Sequence, residues 1–100
     1  MSVLTDAEID RRLAALGDWQ RSDDSPSGDD AAIVRECSFA NFADAIAFVN
    51  RVAEAAEGAN HHPDIVLHGW NKVRLTLSTH SEGGLTDADF ALAGEIDGLS

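Results

Sequence analysis

The sequence predicts an α+β domain: a four-stranded antiparallel sheet with three helices packed on one face, in the order α-β-β-α-β-β-α. Three observations carry that expectation. From Trp70 to His80 the residues alternate, with Val73, Leu75, Leu77 and Thr79 on one side and Lys72, Arg74, Thr76, Ser78 and His80 on the other. That is the period of a half-buried antiparallel strand. Between Asn41 and Ala59 the apolar residues recur instead at helical spacing. The strand-like segments come in two pairs, with a helix before, between and after them, and helices covering one face of one sheet satisfy that order most simply. A chain of 100 residues is one domain, spanning 1–100.

The elements follow in order. Thr5-Asp6-Ala7-Glu8 is a helix start with capping-box spacing, after which Ile9, Leu13 and Leu16 share a face and Gly17 stops the helix. Trp19-Gln20-Arg21 reads as a short strand, with Trp19 in the core. The run from Ser22 to Asp30 is an acidic, turn-rich connection. Its carboxylates do not follow the spacing of an EF-hand calcium loop. Ala31 to Ser38 is the second strand. The long helix runs from about Asn41 to about Ala59, capped by Ser38 or Asn41, and carries two apolar stripes. Phe42, Ile46, Val49, Ala53 and Ala56 form the first; Ala45, Phe48, Val52 and Ala55 form the second. One stripe suffices to cover a sheet, so the second is expected either to meet another subunit or to sink into the chain's own core. Pro63 cannot continue a helix and holds His62 extended. Ile65 to His68 is a strand, Gly69 supports a turn, and the alternating strand ends at His80, before a loop from Ser81 to Gly84. Thr86 caps a last helix with Asp87 and Asp89 in its first turn and Phe90, Leu92, Ala93 and Ile96 as its apolar positions.

Composition narrows the partners. Eighteen acidic and seven basic residues give a formal charge of −11. That balance argues against a nucleic-acid backbone as partner, which needs a Lys/Arg surface. The single cysteine, Cys37, cannot form a disulfide within the chain and reads as a buried thiol. No apolar run approaches the roughly 20 residues that span a bilayer, and Met1 to Asp6 lacks the basic and apolar regions of a signal peptide. The expected location is cytoplasmic, with no membrane partner.

The chemistry concentrates between Glu57 and Asp89. All four histidines lie there, and three of them, His61, His62 and His80, fall in the segments 57–63 and 78–80. Imidazole titrates near neutrality, so such a grouping points to proton transfer or metal binding. With the long helix running through Glu57, that carboxylate is expected beside His61, where it favours the imidazolium and orients the ring. His62 adjoins His61, and two such neighbouring groups tend to work as a pair, one as acid and one as base. His80 completes a three-imidazole pocket. Asp89 is either an orienting carboxylate or a residue favouring the helix dipole.

Glu57-x-x-x-His61-His62-Pro63, then six residues to Trp70, nine to His80 and eight to Asp89, resembles the signature of the pterin-4a-carbinolamine dehydratases. Asn60, Trp70-Asn71-Lys72-Val73, Leu77-Ser78-Thr79-His80 and Gly84-Leu85-Thr86 agree in the flanks, and the likeness extends through Trp19 and from Phe39 to Val52. Two departures stand out. Ile65 replaces a frequent aromatic, and the interval from Pro63 to Trp70 is one residue longer.

The resemblance implies three helices against a four-stranded sheet, assembly as a homodimer or homotetramer, and dehydration of a 4a-hydroxytetrahydropterin to the quinonoid dihydropterin without a cofactor. It implies acid-base roles for His62 and His80, binding and polarisation of the hydroxyl by His61, and support from Glu57 and Asp89. It implies substrate contacts at Ile65, Trp70, Ser78 and Thr79, and a functional link to an aromatic amino acid hydroxylase.

Two rivals stand beside this reading. Glu57, His61, His62 and His80 could ligate zinc, but adjacent extended histidines point to opposite sides and no His-x-His or His-Glu-x-x-His pattern is present. No metal is expected. The other rival is a non-catalytic dimerisation, assembly or binding module of the same fold. Relatives of this family serve as dimerisation partners of an animal homeodomain transcription factor.

Overall fold

Thr5 ends an extended segment and starts α1 (Asp6–Leu16) by accepting a hydrogen bond from the Glu8 N–H at 3.3 Å. Glu8 is in turn held by Arg11 at 2.7 Å and Arg12 at 2.9 Å, a turn further along the helix. Gly17 closes α1 in a left-handed conformation, φ 83°, with its N–H on the Leu13 carbonyl, a geometry that favours glycine. A computed structural model describes residues 3–22 and 31–99, and the α-β-β-α-β-β-α order holds with one short addition. The acidic segment from Asp23 to Asp30 lies outside the described residues.

The strands are β1 (Gln20–Ser22), β2 (Ala32–Ser38), β3 (Asp64–His68) and β4 (Lys72–Leu77). They form one antiparallel sheet in the order β1-β2-β4-β3, so β4 is central and β3 is an edge. The alternation read from the sequence holds in β4: Val73, Leu75 and Leu77 are fully buried on the helix side. The strand stops at Leu77, however, and His80 falls in a 3-10 turn (His80–Glu82) where the sequence reading has a strand end and loop. The reason is a bridge: Thr79 N–H donates to Gly84 O at 2.9 Å and Gly84 N–H returns to Thr79 O at 3.3 Å, closing a tight loop.

The helices α2 (Phe42–Ala59) and α3 (Asp87–Asp97) lie with α1 over the covered face. Of the two proposed caps for α2 it is Asn41 whose side chain accepts the Asp44 N–H, at 2.8 Å. The core joins Ile9 of α1, Phe48 and Val52 of α2, and Leu92 and Ile96 of α3 to Ile33, Val73, Leu75 and Leu77 of the sheet. Trp19 is buried as expected, its indole N–H donating to Asp97 Oδ1 at 2.9 Å, where Arg35 also lands at 2.5 Å. Cys37 is buried as well.

Of the two places open to the second stripe of α2, the chain's own core is the one it takes: Ala45, Phe48 and Val52 are fully buried, and Ala55 is half-buried. Phe42 and Ile46 of the first stripe are 52% and 36% exposed, with Ala53 exposed and Val49 half-buried. Two stripes side by side do not fix the rotation of a helix about its axis. Here Phe48 decides it by packing its ring on Phe39 at 5.0 Å, a favourable tilted pair, while the methyl-sized Ala45 and Ala56 allow close approach.

Candidate functional site

The end of α2 builds the first half of the site. Asn60 takes a left-handed conformation, φ 52° and ψ 41°, and its N–H closes on the carbonyls of Ala56 and Glu57. Asn is among the few non-glycine residues at ease there, which gives the Asn before the histidine pair a structural reason. His61 N–H then reaches back to Ala56 O at 3.1 Å, and the chain leaves extended into Pro63 and β3. Adjacent residues of an extended segment point to opposite sides. His61 turns inward with its side chain 14% exposed; His62 turns outward, 60% exposed.

The carboxylate partners differ from expectation. Glu57 Oε2 lies 2.5 Å from Nε2 of His62, not His61. His61 Nε2 lies 2.6 Å from Asp89 Oδ1 at the start of α3. A carboxylate faces the residue four positions on only while the helix continues; the left-handed turn at Asn60 ends it and carries His61 away. Each imidazole therefore has its own acid, one buried and one at the surface.

Asp89 fills both roles considered for it. In the first turn of α3 its Oδ2 accepts the Thr86 N–H at 2.9 Å, satisfying one of the orphan donors at a helix start. Its other oxygen faces His61. Asp89 is fully buried, and the Thr79 hydroxyl also donates to Oδ2, at 2.8 Å. A buried carboxylate is tolerable only with such partners. Thr86, fully buried, lies with its hydroxyl oxygen 2.9 Å from that of Thr79. Sequence reasoning assigned Thr86 only a cap; the Thr-x-x-Asp spacing of Thr86 and Asp89 was the available signal. For Thr79 the signal was a hydroxyl on the apolar side of an alternating strand, since buried polar groups find partners.

The expected substrate contacts separate. Ser78 is buried and its hydroxyl donates to the Ala31 carbonyl at 2.8 Å. Ile65, partly exposed on the edge strand, pairs with Leu75 one rung from the histidine end. Trp70 is not brought to the histidines. They lead into β3 at one end, and Trp70 sits in the β3–β4 turn at the other, roughly 13 Å of strand away at about 3.3 Å per residue. Trp70 is 62% exposed with φ 61°, an uncommon conformation for a bulky side chain. Its neighbour Asn71 anchors that turn, donating from Nδ2 to the Phe39 carbonyl at 2.9 Å. The backbone of His80 follows β4 at the same end as the other histidines; its side chain lies outside the described residues.

A surface depression of about 780 Å³ lies on the open face of the sheet, and His61 and His62 do not line it. Glu36 crosses it from β2, with Oε1 2.8 Å from His68 Nε2 and Oε2 3.2 Å from Arg74. Burial raises the Glu36 carboxyl, but the Arg74 hydrogen bond and the charge of His68 outweigh it and leave the group below its ordinary value. That arrangement ties three strands together and holds no general acid–base pair aimed at a ligand.

Fold and turn together define the class, the pterin dehydratase-like α+β domains. A solved structure described as a transcriptional coactivator/pterin dehydratase from Brucella melitensis superposes with a TM-score of 0.85 at 35% identity, covering 98% of each chain. A pterin dehydratase-like protein described as a RuBisCO assembly factor in the alpha-carboxysome matches with a TM-score of 0.64 at 26% identity, over 81% of this chain and 87% of its own. The chain belongs to the pterin 4 alpha carbinolamine dehydratase family, whose model matches residues 2–99. A relative from Mycolicibacterium vanbaalenii is 46% identical over 99% of this chain and 98% of its own length. One from Chloroflexus aurantiacus is 50% identical over 97% and 96%. Both are named pterin-4-alpha-carbinolamine dehydratases, by assignment rather than demonstration.

Proposed function

We propose that this protein is a hydro-lyase that dehydrates 4a-hydroxytetrahydropterins to the quinonoid dihydropterin. One observation carries the reading: adjacent imidazoles, each engaged through Nε2 by a separate carboxylate, Asp89 for His61 and Glu57 for His62. The reaction breaks the C4a–O bond and the N5–H bond and forms the C4a–N5 double bond. The leaving oxygen takes a proton and departs as water, and the N5 proton passes to a base. Imidazole serves either task near neutral pH, and such transfers contribute roughly 10²–10⁴ in rate. The elimination is redox-neutral, so the reading requires no redox cofactor, and the imidazoles take the acid–base work without a metal.

In this reading His62 and His80 exchange protons with the substrate and His61 binds and polarises the 4a-hydroxyl. Glu57 and Asp89 hold the rings, and Ile65 offers an apolar contact beside them. Ser78 meets the pterin through its backbone, because the structure gives its hydroxyl to Ala31, whereas Thr79, its hydroxyl on Asp89 and Thr86 and its backbone bridged to Gly84, serves the site by holding Asp89. Trp70, exposed in the β3–β4 turn, would meet a pterin only where the ligand or another copy reaches that end of β3.

The reading extends to a homodimer or homotetramer held through the exposed stripe of α2, to a cytoplasmic location, and to service of an aromatic amino acid hydroxylase. The chain's −11 charge supports the absence of a nucleic-acid partner, and no described helix is long and apolar enough to cross a membrane. The second reading, a non-catalytic assembly module, is favoured by the neighbour described as a RuBisCO assembly factor.

Stopped-flow absorbance separates the two. Carbinolamine decay faster than in buffer, without added metal or nucleotide, supports the lyase. Uncatalysed decay with folded protein supports the module.

A further inference from the structure

Both oxygens of the buried Asp89 are spoken for, and the partners on Oδ2 have a direction. The Thr86 N–H can only donate. Thr79 has a single hydroxyl hydrogen and gives it to Oδ2, so the 2.9 Å contact between the two threonine oxygens is filled by the hydrogen of Thr86. The protons therefore run one way, from Thr86 to Thr79 to Asp89. Oδ1 is left for His61 Nε2. Imidazole is the stronger base of the two group types, so the shared proton resides on the ring.

We infer that Thr79 is a positioning residue: its hydroxyl, acting through Asp89, fixes the orientation of His61 and its Nε2–H tautomer and leaves Nδ1 as the working nitrogen. Thr79 is itself held by the backbone bridge to Gly84. Without its hydroxyl the carboxylate loses a donor on Oδ2 and turns toward the remaining ones, and the ring of His61 loosens. This deepens the acid–base reading of the site and rests on it for the catalytic consequence; the state of the ring does not depend on that reading.

Nitrogen NMR of the His61 ring, without substrate, tests it. Wild-type protein, at a pH where the ring is neutral, should give a pyrrole-type Nε2 bearing a protected proton and a pyridine-type Nδ1. Thr79→Val should lose the protected proton, and Thr79→Ser should restore it. On turnover, Thr79→Val should lower kcat about ten- to hundredfold, the size seen for hydrogen-bond partners behind metal-bound histidines, with little change in KM. A raised KM with kcat intact would make Thr79 a substrate contact and overturn the inference. An unchanged ring signal in Thr79→Val would overturn it too. Pyrrole-type Nδ1 in the wild type would do so even if that variant failed to fold. Ring shifts as expected in a protein without dehydratase activity would sustain the positioning while removing the proposed reaction.

Discussion

At the scale of single residues, the two carboxylates of the site carry opposite ratios of stability to chemistry. Glu57 and His62 form an exposed pair, with side chains 76% and 60% accessible. Exposed ion pairs contribute at most about 1 kcal/mol. Asp89 sits in full burial and joins three partners. Breaking a buried charged network by removing one member costs about 3–5 kcal/mol. Glu57→Gln should therefore leave the urea midpoint nearly unchanged while lowering turnover. Asp89→Ala should lose several kcal/mol in the same titration as well as activity. Equal destabilisation by the two would contradict this division.

The grouping of the histidines is visible in the sequence itself. Their partners are not, because pairing depends on where α2 stops. A single left-handed residue, Asn60, moves His61 from Glu57 to Asp89, and a helical spacing rule cannot see that turn. Thr79 was legible in its facing but not in its bonding, since the alternation of β4 does not say that Asp89 lies beneath it.

At the scale of elements, α2 gives the sharpest test of what patterning can and cannot specify. Its length and both apolar stripes follow from the sequence; the choice of Asn41 over Ser38 as cap and its rotation do not. Phe48 is fully buried, and Phe42 is half in solvent. Phe48→Ala should cost about 3–5 kcal/mol, the usual penalty for emptying a buried aromatic site. Phe42→Asp should leave the fold in place and, under the proposed assembly, reduce the mass seen by light scattering at micromolar concentration. A strictly monomeric wild type would remove the assembly. An unfolded Phe42→Asp would contradict the observed rotation of the helix.

The loop after β4 is a further case. Gly84 lies against the N-terminal segment, where a Cβ would come within 2.9 Å of Val3 Cγ1. This fits the Leu4 N–H donating to the Leu85 carbonyl at 2.8 Å. The sequence marked the Gly-Gly pair as a loop; only the close approach of Val3 explains why the second glycine carries no side chain.

At the scale of the whole molecule, layer order and sheet face were legible because the two periodicities alternate cleanly along the chain. The strand order was not, since β2 pairs with β4 across a helix and a hairpin. The buried thiol near the end of β2 links that core to pH. Burial pushes the Cys37 thiol above its ordinary value; Arg35 opposes this, and Asp97, Asp18 and Glu36 add to it. A group whose pKa is raised on folding contributes stability that is fully present below its unfolded pKa, about 8.5 for a thiol. That stability is lost as pH rises through the folded value. The urea midpoint should fall above about pH 8.5, and Cys37→Ala should flatten that fall after its own packing cost. An identical pH slope in both proteins would contradict the assignment.

The acid–base function of the His61–His62 turn is open to one direct comparison. Carbinolamine decay should be followed by stopped-flow absorbance with wild-type protein and with the His61→Ala/His62→Ala variant, both shown folded by circular dichroism. The expected result is acceleration by the wild type and a loss of roughly 10² or more in the variant. A variant as fast as the wild type, or a folded wild type no faster than buffer, would contradict it.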